Sequence, residues 1–492
     1  MFMIVPNWLH QRAFLTPHRI ALYEGEKEIT FSELHELAKK KAKQLLRLGV
    51  KKGDIVAVHM KNSAKMVEII HALQYVGAIA LLQNIRLTRE ELIWQLRDSQ
   101  ASFVICDHAQ SLQPMDNDIQ LIEWAELETV PEQEGMLQTT YNLDDVATIM
   151  YTSGTTGKPK GVMQTYGNHW WSAIGSALNL GLHMDDCWLA AVPFFHVSGF
   201  SILMRSVIYG MSVYILPQFD AKKANEIILQ QKATIMSVVS TMLQQMLREL
   251  NEPYPSTFRC MLLGGGPAPR ALLDECARRH IPVYQTYGMT ETASQVVTLP
   301  PEYLSKRGSA GKPLFPVQIR IEKDGKEAKA NEAGEIVVKG PNVMKGYLYR
   351  EEETKKVLKD GWFYTGDIGY VDEDGFLYVL DRRSDLIISG GENVYPAEVE
   401  SVLLEHKAVK EAGVIGIDDG KWGQVPCAFV VVHEDEVVTE EELQQFCEQK
   451  LAKYKVPKQF YFVNNLPRNA SNKLLRRELL SLLTGEGRSD ER

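Results

Sequence analysis

The 492-residue chain has only six cysteines, Cys106, Cys187, Cys260, Cys276, Cys427 and Cys447, and no two of them form a C-x-x-C pair. That spacing excludes a disulfide framework and a cysteine-based zinc site, and it predicts reduced, mostly buried thiols. Also missing is any apolar run near the roughly 18 residues that cross a bilayer. The start, MFMIVPNWLHQR, is interrupted at Pro6 and Asn7 before a signal-peptide core could develop. A cytoplasmic protein without stable membrane insertion is therefore expected. Positive charge is not in excess: 54 Lys and Arg against 63 Asp and Glu leave a net charge of −9, a field that opposes general nucleic-acid binding. What is present, 45% hydrophobic and 24% charged residues, is the composition of a folded globular protein. The length suits roughly three structural units of about 150 residues each. It leaves open whether copies form a homo-oligomer.

Periodicity orders the chain. Over residues 30–49, Leu34, Leu37, Ala38, Ala42, Leu45 and Leu46 recur at helical spacing, Thr30 and Glu33 have the capping-box separation, and Gly49 ends the run. Residues 55–58 then read as a strand, 63–76 as a helix, 78–82 as a strand, and a further helix runs to Asp98. This alternation predicts α/β layers with a largely parallel sheet. The acidic stretch 107–142, with Pro114, Pro131 and Gly135, is expected to hold surface connections and no chemistry. Short apolar runs at 318–322, 335–339 and 376–380, with turns at Asp324-Gly325 and Asp374-Gly375, predict a β-rich subdomain over about 315–380. From Asp385 on, helical stretches (396–404, 441–451) alternate with apolar runs (414–417, 429–432), which predicts a small C-terminal domain.

The most informative stretch, YTSGTTGKPKG from Tyr151 to Gly161, follows the apolar run 146–150. Its glycines let backbone approach a ligand, its hydroxyls offer hydrogen bonds to phosphate oxygens, and its lysines supply charge. Such a loop grips phosphate. A Walker A loop would place Ser or Thr after its lysine, whereas Pro159 follows Lys158, so an ordinary P-loop NTPase is disfavoured. Further on, Gly264-Gly265-Gly266 after Met261-Leu262-Leu263 reads as a strand end where backbone can lie flat against a ligand.

Read with FFHVSG (194–199), GGGP (264–267), YGMTET (287–292), YTGD (364–367), DRRSD (381–385), GGEN (390–393) and PRNASNK (467–473), the loop resembles the signature of the adenylate-forming superfamily. That superfamily comprises acyl-CoA synthetases, luciferases and nonribosomal adenylation domains, and the likeness extends over essentially the whole chain. The segments LGGGPAP, PNVMKGY, DRRSDLIISGGENVYPAEVES and LPRNASNKLLR look similar to those members that activate 2-succinylbenzoate in menaquinone biosynthesis.

The resemblance implies an α/β fold: a large N-terminal domain, 1–383, of layered α/β subdomains with the β-rich subdomain, and a small mobile C-terminal α+β domain, 384–492, hinged at Ser384. It implies a ligase that uses ATP, Mg²⁺ and coenzyme A and forms an acyl-adenylate. Thr152, Ser153, Gly154, Thr155, Thr156 and Lys160 would hold the phosphates, Thr290 the α-phosphate and Glu291 the magnesium. Gly264, Gly265, Gly266, Tyr287 and Gly288 would border adenine, and Asp367 and Arg382 would bind ribose. Lys473 would be the catalytic lysine, His196 would stand where the acyl pocket meets the pantetheine tunnel, and Gly390 and Gly391 would line that tunnel. The family commonly has Asp or Lys at the hinge and Gly before the lysine; this chain has Ser384 and Asn472. The basic run Arg468, Lys473, Arg476 and Arg477 is expected to meet the anions of ATP and coenzyme A. A ligase for another aromatic or medium-chain acid, an amino-acid adenylation domain and a non-enzymatic nucleotide-binding module all stay open. Ser198, Arg205, Ser240 and Thr241 are candidates for the substrate's second carboxylate.

Overall fold

The helix Phe31–Arg47 starts at a true capping box: the Glu33 N–H donates to the Thr30 hydroxyl (3.2 Å), and the Thr30 N–H donates back to the Glu33 carboxylate (2.8 Å). Leu34, Ala38, Ala42 and Leu45 form its buried stripe. The computed structural model describes residues 3–109, 118–152, 159–266, 268–382, 385–389, 392–419, 422–468 and 474–484.

Two sheets organise the N-terminal part. The first runs Gly346–Tyr347, Lys160–Thr165, Val146–Thr152, Ile79–Leu82, Ile55–His59, Phe103–Cys106, Gln120–Glu123. The second runs Lys312–Pro313, Ser294–Leu299, Val283–Met289, Cys260–Leu263, Ile235–Val238, Cys187–Ala190, Ser212–Ile215, Ile20–Glu24, Lys27–Thr30. Central strands in both pair parallel, as the alternation predicts, and antiparallel pairs close both edges of the second sheet and the Gly346–Tyr347 edge of the first. The helix Ala64–Val76 is buried on nearly every face. Such a helix lies inside a core and not on a surface.

The stretch 107–142 holds more than surface connections. Gln120–Glu123 extends the first sheet in parallel with Phe103–Cys106, Trp124 and Leu127 are buried, and Thr140–Asn142 pairs with Ile4–Pro6. The acidic composition hid these few apolar anchors, and Glu128 itself neutralises the buried Lys41.

The β-rich subdomain is a six-stranded sheet ordered Lys326–Glu327, Gln318–Lys323, Gly334–Lys339, Trp362–Val371, with Leu358–Lys359 and Leu377–Arg382 also paired to Trp362–Val371. Its first hairpin turns at Asp324 (φ 50°) and Gly325 (φ 75°), the two left-handed residues such a tight turn needs. Beyond Arg382, Ile387–Ser389, Glu392–Val394, Val409–Asp419, Gly423–Val432 and Gln459–Phe462 build a separate sheet over its own core, covered by Pro396–Leu403 and Arg476–Thr484. Among the described residues no strand pair joins this sheet to the others. All six cysteines are free and buried, and no described helix is long and apolar enough to cross a membrane.

At the amino ends of the second sheet's strands, Arg259 grips Asp186 with two hydrogen bonds (2.8 and 2.5 Å) and donates to the Leu180 carbonyl. Asp186 also accepts from the Thr234 hydroxyl (2.8 Å) and the His183 N–H (3.0 Å). Burial alone would raise this carboxyl's pKa, but Arg259 and these donors outweigh it and hold it below its ordinary 3.8. A depressed carboxylate stabilises the fold fully above the unfolded pKa, and that stability is lost as pH falls through the lower, folded value. Asp186→Asn should therefore cost about 3–5 kcal/mol near neutrality, the price of breaking a buried pair. It should also flatten the acid-induced loss of stability below pH ~4, as urea titrations across pH would show.

Candidate active site

Parallel strands leave their carboxyl ends at one edge of a sheet, and ligands of such folds bind at that edge. His196 follows Cys187–Ala190, Gly264 to Gly266 follow Cys260–Leu263, and Tyr287 and Gly288 lie in Val283–Met289, with the single turn Thr290–Thr292 directly after. Asn62 fixes the segment before His196, donating to the Val192 carbonyl (2.9 Å) and accepting from the Phe194 N–H (2.8 Å). Gly265 is left-handed (φ 85°). A Cβ on Gly288 would stand 2.0 Å from the Ser294 carbonyl oxygen, so only glycine permits this approach of the two strands. Ala293 (φ 51°) and Ser294 (φ 105°) hold positive φ without being glycine, strain stored beside the site.

The first sheet brings a second group to the same region. Thr152 and Lys160 face each other in antiparallel register, and they bracket the glycine-rich loop. Ser153, Gly154, Thr155 and Thr156 lie outside the described residues. Lys160 pairs with Glu353 and sits 5.1 Å over the Tyr347 ring, and the Tyr347 hydroxyl donates to Glu291 Oε1 (3.1 Å). Gln164 donates to the Thr290 carbonyl, and the Glu291 carbonyl accepts from the Met344 N–H (2.8 Å). Thus Lys160 and the adjacent pair Thr290 and Glu291, far from it in sequence, are tied together through Tyr347 and Gln164. Neither Tyr347 nor Glu353 stood out in the sequence; the Gly346-Tyr347 pair within PNVMKGY was the available signal.

Tyr287 and Asp367 also meet: the phenol donates to Asp367 Oδ2 (2.7 Å), and Asp367, only 6% exposed, faces Arg382 across the Trp362–Val371 and Leu377–Arg382 pair. Ser384, Gly390, Gly391 and Lys473 lie outside the described residues. His196 belongs to a different part of the site. It opens the helix Val197–Tyr209, its ring 4.7 Å from Phe195.

About two and a half turns along the helix that follows His196, Arg205 is 1% exposed. Its guanidinium lies over the Trp188 ring (5.1 Å) and donates to Ser294 Oγ (3.3 Å), which also accepts from Ser201 Oγ (3.4 Å). No carboxylate among the described residues pairs with it, its Nε has no partner, and both side-chain polar atoms of buried Gln295 lack one too. Burial lowers its pKa, as expected of a cation without a counter-ion. An unpaired buried cation is costly, and an anionic ligand would relieve it.

The C-terminal basic run corrects an expectation. Arg468 is paired with Glu411, and Arg476 is held by Asp381, Asp385 and Glu400. Two of the four cations expected to meet phosphate are thus occupied by carboxylates of the fold.

Layered parallel sheets with a glycine-rich loop and a Thr-Glu turn at their carboxyl edges, a part-buried Tyr–Asp hydrogen bond beside them and a separate small domain after them define a nucleotide-binding enzyme class. The AMP-binding enzyme profile matches residues 9–348, and that of the AMP-binding enzyme C-terminal domain matches 398–473. The chain belongs to the AMP-binding enzyme family. It is 67% identical over 481 residues to the 2-succinylbenzoate–CoA ligase of Geobacillus sp. (strain WCH70), covering 97% of this chain and 98% of that protein. The o-succinylbenzoate CoA synthetase of Bacillus subtilis in complex with its acyl-adenylate intermediate superposes with a TM-score of 0.94 at 50% identity, covering 100% of this chain and 99% of that one. In complex with ATP and magnesium ion the same enzyme gives 0.93 at 50% identity, covering 97% and 100%. A double mutant of it bound to a product analogue gives 0.77 at 51% identity, covering 97% and 98%.

Burial, with a smaller contribution from Arg86, lowers the His196 pKa from 6.5 to about 4. Because the unfolded ring binds its proton at the higher value, this residue's share of stability is full above pH 6.5 and is lost as pH falls from 6.5 to 4. Imidazole NMR of the intact protein should show His196 neutral down to about pH 5. A His196 transition near 6.5 would contradict the desolvated environment.

Proposed function

We propose that the chain joins 2-succinylbenzoate to coenzyme A at the expense of ATP, giving 2-succinylbenzoyl-CoA, AMP and pyrophosphate, the thioester used in menaquinone biosynthesis. Near-full-length identity to ligases carrying that name supports the reading. The structural observation that carries it is Arg205, a buried cation without a carboxylate partner among the described residues, in the helix that His196 caps. 2-Succinylbenzoate has two carboxylates, one to be activated and one to be recognised, and Arg205 with Ser294 suits the second.

The reaction has two steps. A carboxylate oxygen attacks the α-phosphorus of ATP as the bond to the β-phosphate breaks and pyrophosphate leaves. The thiol sulfur of coenzyme A then attacks the carbonyl carbon, the carbon–oxygen bond breaks, and AMP departs. Both steps gather negative charge on oxygen, so fixed donors and cations supply most of the catalysis. Lys160 and Thr152 bracket the phosphate-holding loop, with Ser153, Gly154, Thr155 and Thr156 between them; Thr290 bonds the α-phosphate. Tyr287 and the Gly264–Gly266 backbone border adenine, and Asp367 with Arg382 takes the ribose. Lys473 bridges the reacting carboxylate and phosphate, and Gly390 and Gly391 line the pantetheine path.

Among the described residues no three acidic, His or Cys side chains cluster as a metal cage. One carboxylate at Glu291 fits Mg²⁺, which takes few protein ligands and is completed by substrate phosphates and water. Bound there, the ion would neutralise phosphate charge. The hinge is assigned to Ser384, because the strand ending at Arg382 belongs to one sheet and the strand opening at Ile387 to another. The acidic net charge supports the absence of a nucleic-acid partner, and a cytoplasmic location is part of the same proposal.

AMP and thioester release should be measured with 2-succinylbenzoate, benzoate, 4-coumarate and octanoate; strong preference for the first is expected, and preference for another acid would discard the substrate assignment. Arg205→Met should raise KM for 2-succinylbenzoate by roughly 10- to 100-fold, the worth of a charged hydrogen bond, with little change in KM for ATP. Equal changes in both would deny Arg205 its role.

A further inference from the structure

The chain leaves the six-stranded sheet at Arg382 and enters the C-terminal sheet at Ile387, and one side chain binds both sides of that passage. Arg476, first residue of the helix Arg476–Thr484, donates from Nη1 to Asp381 Oδ1 and to Asp385 Oδ2, each at 3.0 Å. Its Nε and Nη2 donate to the two oxygens of Glu400 (2.9 and 2.7 Å). Asp381 lies before the hinge; Asp385, Glu400 and Arg476 lie after it. Asp381 makes a second crossing contact, its Oδ2 accepting from the Ala397 N–H (2.8 Å), whereas Glu400 is tied inward by the Val414 N–H (2.9 Å). Asp381 is 3% exposed and Arg476 16%.

A cluster of this kind could be mere cement for the small domain, but the distribution of its bonds says otherwise. A rotation about residue 384 carries Asp385, Glu400 and Arg476 together, so the contacts of Asp381 with Arg476 and with the Ala397 N–H break while those of Arg476 with Asp385 and Glu400 stay. Arg476 would keep Asp385 and both Glu400 oxygens, so it would not become an uncompensated buried charge, the usual penalty for opening such a pair. The contact across the hinge is therefore cheap to release, while the contacts within the domain are not. The structure also superposes better on the adenylate-bound relative than on its product-analogue complex.

We propose that Asp381 is a positioning residue whose contact with Arg476 latches the C-terminal domain in the orientation used for adenylate formation, and that this latch opens for thioester formation. The inference rests on the two-step reading above. Two full-length variants separate it from a structural role. Asp381→Asn weakens the crossing contact; Glu400→Gln weakens the contact inside the domain.

Single-turnover adenylate formation from ATP and 2-succinylbenzoate should slow about 10- to 100-fold in Asp381→Asn, the range for losing a charged hydrogen bond, while thioester formation from supplied acyl-adenylate and CoA stays within a few-fold of the parent. Glu400→Gln should lower Tm but leave the ratio of the two half-reactions unchanged. Equal slowing of both steps in Asp381→Asn, or the same split in Glu400→Gln, would overturn the latch. Spin labels at Leu182→Cys and Val437→Cys, both exposed, read the domain orientation without substrate. Asp381→Asn should shift that distance distribution in the free protein, and an unshifted distribution would also overturn the latch. A parent protein that turns over no acid while the shift is seen would refute the ligase reading alone.

Discussion

The site depends on parallel strand pairing. Because neighbouring strands in each N-terminal sheet run the same way, their following segments emerge at one edge, and residues separated by a hundred positions arrive together there. Gly264, Tyr287 and the Thr290–Thr292 turn come from one sheet, Thr152 and Lys160 from the other, and Tyr347 and Gln164 join the two sets by direct bonds. The Asp186–Arg259 pair holds the opposite ends of the same strands, away from the edge where Lys160 and Glu291 meet. Stability and chemistry are segregated to opposite ends of one sheet.

An acidic protein that handles anions has to manage its cations individually. Lys160 is kept in place by Glu353 and the Tyr347 ring, a pairing that a phosphate can replace charge for charge. Arg205 is treated in the opposite way: it is buried over Trp188 and donates to a Ser294 hydroxyl, so in the proposed function a ligand carboxylate would be its first anionic partner. The first arrangement keeps a paired lysine pre-aligned beside the loop, and in the proposed function the second would make a ligand carboxylate the counter-charge of a desolvated cation. In the proposed function, binding energy would thus be concentrated on the feature that distinguishes a diacid from a simple acid.

Much of this was legible in the residues themselves. The capping box at Thr30 and Glu33, the alternating strands and helices to Ser99, and the Asp-Gly hairpin at 324–325 are set by local chemistry, and the structure has them where the pattern puts them. The strand Gln120–Glu123 escaped notice because its few apolar residues are embedded in acidic sequence and draw their stability from pairing with Phe103–Cys106. The partners of Arg468 and Arg476 were illegible for a related reason. A run of basic residues in sequence says nothing about carboxylates 57 to 95 positions away, and those decide whether the cations are available to a ligand.

Arg476 shows what that long-range pairing does to function. Had the guanidinium met only Asp381, opening the hinge would strand a charge in a poorly solvated pocket, and the domain would be locked. Had it met only Glu400 and Asp385, nothing would hold the two units in register. In the proposed rotation, sharing one cation among three carboxylates, one of them before residue 384, would keep the guanidinium paired in either orientation and leave Asp381 to regain water. A two-step reaction on one set of substrates needs an interface with that property: firm enough to align the first step, and weak enough to give way to the second.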